Sequence, residues 1–153
     1  MHIEYSYFAS LIEMRFLLEI ESAKLAALRR TDQDILDIKK ALDTYADKVN
    51  LGEQAVEEDL LFHLKIADAS KNAVFKSLML IITPEIIQYL LQLDIYKNVH
   101  ATPALDEHEI ILKHIVAQES EEAAAAMQKH LKAIFDYSQR LKNRQGNGTN
   151  GIH

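Results

Sequence analysis

The sequence of 153 residues contains no cysteine, which excludes disulfide bonds and thiolate metal ligands. Any metal site must therefore use His, Asp or Glu side chains. Glycine and proline are scarce as well, with four glycines, three of them in the last eight residues, and two prolines. Because β-hairpins depend on tight turns rich in these residues, the scarcity argues against hairpins and favours an all-α fold.

Long apolar runs and an excess of basic residues are also lacking. The most apolar segment, residues 78–93, contains Pro84 and Glu85, and no stretch of about 18 uncharged apolar residues could span a bilayer. The first residues do not resemble a signal peptide. The net charge of −6 argues against phosphate binding by this chain. We therefore expect a soluble, cytoplasmic protein without membrane contact.

Helical periodicity and capping signals predict an antiparallel bundle of about six helices. The first four are expected at residues 5–30, 32–48, 53–69 and 73–93, with a kink or restart of the fourth at Pro84. The fifth should begin at Thr102 and Pro103 and the sixth at Ser120. Residues 1–143 are thus predicted to form one domain, followed by a flexible tail at 144–153.

Polar side chains interrupt the apolar stripes of three of these helices. Asp59 and His63 lie one turn apart within the third helix, and His108 and His130 lie within the stripes of the fifth and sixth. A buried carboxylate is costly unless it is paired or coordinates a metal. The pattern favours a site for Zn, Ni, Mn, Fe or Co, between which the residue types do not select. A metal-free hydrogen-bond network of the same residues is the alternative.

Arg15 is a second polar residue on an apolar stripe, in the first helix. Two interpretations are open for it. It can form an intrahelical salt bridge with Glu19, one turn away. Beside a metal, its guanidinium can instead help to bind a carboxylate.

Four segments carry a resemblance to a known family. They are "EMRFLLEIESAKLAALRRT", "DLLFHLKIADASKN", "DEHEIILKHI" and "EEAAAAMQKHL", and together they span residues 13–131. In type and order they resemble the FCD domain, the FadR C-terminal ligand-binding domain of GntR-superfamily bacterial transcription regulators.

The resemblance implies that the chain is no enzyme but a metal-dependent sensor of a small organic acid, which forms a homodimer. Contact with DNA is expected only through an N-terminal winged helix-turn-helix that this chain does not include. A helical-bundle metalloenzyme acting on a small organic acid is the competing hypothesis. Zn is the metal expected after purification, with Ni, Mn or Fe as alternatives. The implied metal ligands are Asp59, His63, His108 and His130, and the implied ligand-binding residues are Arg15, Glu19 and Asn72.

Overall fold

Six α-helices make up the part of the chain that the computed structural model describes, which is the backbone of residues 4–94 and 101–150 and the side chains of 4–94 and 104–146. This confirms the predicted all-α bundle, and the described residues contain no strand. The helices are α1 (Tyr5–Arg29), α2 (Asp32–Asn50), α3 (Val56–Ala69), α4 (Ala73–Gln92), α5 (Ala101–Val116) and α6 (Ser120–Asn150).

Local capping interactions set several of the helix ends. At the start of α2, the Thr31 hydroxyl accepts a hydrogen bond from the Asp34 N–H at 3.1 Å, and the Thr31 N–H donates to the Asp34 carboxylate at 2.9 Å. This reciprocal pair is the predicted capping box. Gly52 follows α2 with a φ of 72°, a left-handed conformation that glycine adopts readily. The break expected before α3 is therefore confirmed.

The fourth helix differs from the prediction at Pro84. It continues as one α-helix through this residue and does not restart. Proline removes one backbone hydrogen bond, but tertiary packing can hold a helix together across that defect. Buried side chains lie on both sides of the proline, with Met79 and Thr83 before it and Ile86 and Leu90 after it. The loop predicted at residues 94–101 lies almost entirely outside the described residues.

The first and last helices form the most extensive contact of the bundle. Phe16 of α1 stacks on Phe135 of α6 with ring centroids 4.7 Å apart. At the end of the pair, the Tyr5 backbone N–H donates to Oε1 of Gln145 at 3.1 Å. Because α6 runs to Asn150, part of the segment predicted as a tail is helical, and its flexibility stays a prediction.

The remaining helices complete the bundle around α1. Helix α3 packs against α1, α2 and α4, and α5 packs against α1, α2 and α6. Helix α4 is the most open of them, with Val74, Leu80 and Ile81 more than half exposed. Its length and apolar composition would by themselves also suit a membrane-spanning helix, but its other side is buried in the bundle.

Candidate metal centre

The four metal ligands predicted from sequence come together at one point inside the bundle. One ligand atom from each of Asp59, His63, His108 and His130 lies within 4.8 Å of the others. We call these four residues the His/Asp cluster. Asp59 and His63 project from adjacent turns of α3, as their spacing of four residues requires, while α5 supplies His108 and α6 supplies His130.

The Asp59 carboxylate lies between two of the imidazoles. Its Oδ1 is 3.2 Å from Nε2 of His63 and 2.9 Å from Nε2 of His108. His63 and His108 are fully buried, and the Asp59 side chain is 28% exposed although its Oδ1 is not. None of these contacts has the direction of a hydrogen bond, so Asp59 Oδ1, Nε2 of His63 and both nitrogens of His108 are buried without a hydrogen-bond partner in the described chain, while Nδ1 of His63 faces a carboxylate of α1.

Aromatic packing fixes the orientation of the imidazoles. The rings of His63 and His130 are stacked, with centroids 5.3 Å apart and planes 8° from parallel. His108 meets His130 at 4.4 Å and is held edge to face by Tyr45 at 4.7 Å and by Phe62 at 4.6 Å. Tyr45 and Phe62 therefore form an aromatic wall beside the cluster, and this wall restricts the orientation of the His108 ring.

Helix α1 places a buried ion pair directly behind the His/Asp cluster. Arg15 and Glu19 are 4% and 1% exposed. The Glu19 carboxylate contacts Nδ1 of His63 with one oxygen and Nε of Arg15 with the other. The salt bridge predicted between Arg15 and Glu19 is thus present, but in the interior, where one unpaired member would be costly.

The two terminal amino groups of Arg15 remain available. No hydrogen bond from the described residues reaches them, and they are not among the fully buried atoms without a partner. They therefore keep some contact with solvent. A guanidinium in this state can still bind a carboxylate through both amino groups.

Charges within the site shift the pKa values of its members. Burial alone would raise the pKa of Glu19, but the combined effects of His63 and Arg15 outweigh it and lower the pKa to about 2. Burial likewise opposes ionisation of Asp59, yet His108 and His63 bring its pKa well below the ordinary value. Burial lowers the pKa of His108 to about 4, although Asp59 opposes this shift. Asp59 is therefore ionised and His108 neutral at pH 7, the forms in which these residues bind metals. Burial would lower the pKa of His63, but Glu19 raises it, so a metal that binds His63 competes with a proton for the ring.

Two residues near the His/Asp cluster were missed by the sequence analysis. Glu107 of α5 contacts Nδ1 of His130 at 3.1 Å through Oε1. Tyr45 of α2 packs on His108, and burial together with Asp59 and Glu107 raises the pKa of its hydroxyl well above the ordinary value. Only a neighbouring helix reveals either role, so no pattern within one helix would have found them.

Unlike Arg15 and Glu19, which lie behind the His/Asp cluster, Asn72 lies at the start of α4. Its Oδ1 accepts hydrogen bonds from the backbone N–H groups of Val74 and Phe75, at 3.0 and 3.1 Å, and so caps α4. This confirms the capping role also considered for Asn72. A role in ligand binding stays a prediction.

His114, the histidine outside the cluster that the structure describes, is partly exposed, with 22% of its side chain accessible. Its Nδ1 lies 3.1 Å from Oε1 of Glu119, whose side chain is 45% exposed. His2, His100 and His153, which were also predicted to lie on the surface, fall outside the described residues.

Comparison with known proteins finds related sequences for most of the chain. The model of the FCD domain matches residues 10–133. The HTH-type transcriptional regulator LutR of Bacillus subtilis is 34% identical over 130 residues, which cover 82% of this chain and 59% of LutR. The Uxu operon regulator of Haemophilus influenzae is 27% identical over 132 residues, which cover 81% of this chain and 48% of the regulator. This chain therefore spans about half the length of these relatives.

Solved structures share the helical architecture. Streptococcus agalactiae GntR superposes with a TM-score of 0.73 and 27% sequence identity, over 85% of this chain and 58% of that one. McbR/YncC of E. coli superposes with a TM-score of 0.68 over 86% of this chain and 67% of that one. Its identity is 17%, so this second likeness concerns the fold alone.

Proposed function

The chain belongs to the FCD domain family of GntR-family transcriptional regulators, and on this premise we propose that it is a metal-dependent sensor of small carboxylates. In this proposal a divalent metal ion binds to the His/Asp cluster. Zn is the ion expected after purification, with Ni, Mn or Fe as alternatives. The effector is a small organic acid held beside the metal.

The observation that carries the metal proposal is the set of buried polar atoms without partners. Oδ1 of Asp59, Nε2 of His63 and both ring nitrogens of His108 lack hydrogen bonds in the described chain, although all three residues converge on one point. Such atoms cost free energy unless a water or an ion satisfies them. The set of one carboxylate and three imidazoles matches what divalent transition metals bind.

Charge supports a carboxylate as the effector. A divalent metal with one Asp ligand would keep a net positive charge. Arg15 adds a buried guanidinium whose terminal amino groups have no partner among the described residues. Glu19 already neutralises part of that charge through Nε of Arg15, but its carboxylate leaves the amino groups free. A small anion between the metal and these groups would gain both interactions.

The effector would then regulate DNA binding by shifting the populations of alternative helix arrangements. An effector that binds one arrangement of the helices better than another favours that arrangement. A coupling of about 1–3 kcal/mol to an attached DNA-binding domain would change operator affinity by about 5- to 150-fold. No chemical turnover is required. The relatives are named as transcriptional regulators, which argues against the competing metalloenzyme hypothesis.

Metal content tests the proposal directly. We expect the purified chain to contain about one transition metal per chain, measured by elemental analysis, and to melt at a lower temperature after chelation. Zn²⁺ restored at about 100 times its Kd should stabilise the fold by about 2.7 kcal/mol. The variant His108→Ala should lose this stabilisation, because a buried ligand is removed.

A matched variant distinguishes the loss of a metal ligand from the loss of any histidine. His114→Ala removes a histidine that lies outside the cluster, and it should leave both metal content and the Zn²⁺-dependent melting shift unchanged. If the wild-type chain binds no metal and Zn²⁺, Ni²⁺ and Mn²⁺ leave its melting temperature unchanged, the cluster is a metal-free polar network.

A further inference from the structure

We propose that Glu19 and Glu107 are positioning residues, each of which holds Nδ1 of one cluster histidine so that its Nε2 is directed to the metal. The inference rests on the proposed function, since it concerns how the chain prepares its histidines for a metal. It assigns different roles to the two nitrogens of each ring. It also gives Glu19 a role in metal binding that is separate from any contact with an effector.

The contact of Glu19 with His63 fixes the ring from the side of α1. Oε1 of Glu19 lies against Nδ1 of His63, while Nε2 of the same ring lies 3.2 Å from Oδ1 of Asp59 in the cluster. An ionised carboxylate can only accept a hydrogen bond, so it favours the ring proton on Nδ1. The lone pair of Nε2 is then left for a metal.

The contact of Glu107 with His130 repeats this arrangement with residues of two other helices. Oε1 of Glu107, on α5, is 3.1 Å from Nδ1 of His130, on α6, in hydrogen-bonding geometry. The His130 side chain is 8% exposed and that of Glu107 is 30% exposed. The carboxylate therefore lies at the edge of the site, with the imidazole between it and the interior of the cluster.

The third histidine is oriented in another way. Nδ1 of His108 has no hydrogen-bond partner among the described residues, and its ring is held instead by the edges of Tyr45 and Phe62. Two of the three imidazoles thus have a carboxylate behind them. Such partners fix the tautomer and increase the basicity of the ligating nitrogen, and their loss typically weakens metal binding by about 10- to 100-fold.

Glu107 is the residue to test. A Glu19 variant would leave Arg15 without its buried partner and would destabilise the fold for that reason alone. Glu107→Ala removes a partly exposed carboxylate, and Glu107→Gln keeps an oxygen that can still accept from Nδ1. The control is Glu119→Ala, because Glu119 contacts Nδ1 of His114 at the same 3.1 Å but outside the cluster.

Two measurements apply to each variant. The Zn²⁺ Kd is obtained by competition with a chromophoric chelator, after circular dichroism has established that the metal-free variant is folded. The tautomer of His130 is read from ¹⁵N NMR of the imidazole nitrogens in the metal-free chain, at a pH of about 8, where an ordinary histidine is neutral.

We expect Glu107→Ala to weaken Zn²⁺ binding by about 10- to 100-fold and to lower the share of the Nδ1–H tautomer of His130. Glu107→Gln should recover most of the tautomer preference and part of the affinity, and Glu119→Ala should match the wild type. Wild-type Zn²⁺ affinity in a folded Glu107→Ala variant, or an unchanged His130 tautomer, would overturn the inference while the metal site stands. A wild-type chain that binds no Zn²⁺ would overturn both proposals.

Discussion

At the scale of single residues, the proposed role of Arg15 in binding a carboxylate can be tested by a conservative substitution. The variant Arg15→Lys keeps a positive charge beside Glu19 but removes the planar pair of amino groups that can grip a carboxylate. We expect Zn²⁺ affinity to stay within about threefold of the wild type, while a small carboxylate such as citrate or lactate loses about 10-fold or more in affinity, corresponding to about 1.4 kcal/mol.

Calorimetric titration of a panel of small organic acids into the Zn²⁺-loaded chain would measure this effect. Arg140→Lys is the control, since Arg140 lies over the Tyr137 ring and has no described contact with the cluster. If the Arg15→Lys variant binds the same acids as tightly as the wild type, Arg15 serves only as the structural partner of Glu19.

Helical periodicity was sufficient to place the cluster residues inside the bundle. It predicted that Asp59, His63 and Arg15 face inward, because each interrupts an apolar stripe of its own helix. It did not predict Glu107, which comes directly before His108 and therefore points about 100° away from it. A residue at the edge of a stripe contacts the site only if the neighbouring helix lies on that side, and a single-helix pattern carries no such information.

At the scale of helices, the capping box of α2 gives a separable contribution to stability. The variant Thr31→Ala removes the acceptor of the Asp34 N–H hydrogen bond, and we expect the free energy of unfolding to fall by about 1 kcal/mol. Urea denaturation of the metal-free chain would measure it. Thr44→Ala is the control, since the Thr44 hydroxyl donates to a carbonyl within α2 and caps no helix end.

The same capping box predicts a pH dependence. Burial would raise the pKa of Asp34, but its hydrogen bonds with Lys71 and Thr31 outweigh burial and lower it. Because the folded pKa lies below the unfolded one, the stabilisation is present at neutral pH and is lost as the pH falls through the folded pKa. The difference between wild type and Asp34→Asn should therefore be constant from about pH 5 to 7 and shrink below about pH 4. A difference that grows in acid would contradict this.

Helix starts were predicted well because their causes are local. The box of Thr31 and Asp34 and the cap of Asn72 each involve residues within three positions of one another. Of the two outcomes expected at Pro84, a kink or a restart, the restart was wrong, because the cause of the continuity of α4 is not local. Buried residues on both sides, such as Met79 and Ile86, keep α4 packed on the bundle across the proline.

At the scale of the whole molecule, the exposed apolar side of α4 bears on the predicted homodimer. Val74 and Ile81, 65% and 69% exposed, lie two helical turns apart on one side of α4. We propose that this side contributes to a dimer interface, because burying these exposed apolar side chains against a second copy of the chain would be favourable.

Sedimentation of the isolated chain and of the Ile81→Lys variant tests this proposal. We expect the charge to weaken dimerisation by at least about 10-fold, since a buried lysine without a partner is costly. Leu36→Lys, on α2, introduces the same charge at a residue that is 60% exposed and should leave the assembly unchanged. A monomeric wild-type chain, or equal effects of the two variants, would contradict the proposal.

The arrangement of the helices relative to one another was the least predictable part of the fold. The sequence analysis expected six helices and inward ligands, but not that α1 would lie along α6 and bring Glu19 behind His63. Contacts between residues so far apart in the chain depend on how whole helix faces fit together. A short sequence motif indicates how helix faces fit together only when it identifies a family whose fold is known.

The pairing of α1 with α6 also has a mechanical consequence. Helix α1 meets the site at Arg15 and reaches Gln145 ten residues earlier, at Tyr5, so this arm is about 15 Å long at 1.5 Å per residue. A tilt on the order of 5° about Arg15 would displace its end by about 1.3 Å, which is within the range of helix shifts of about 1–2 Å in allosteric proteins. The first helix thus connects the ion pair at Arg15 to the last helix at Gln145, so a tilt of α1 about Arg15 would move both contacts together.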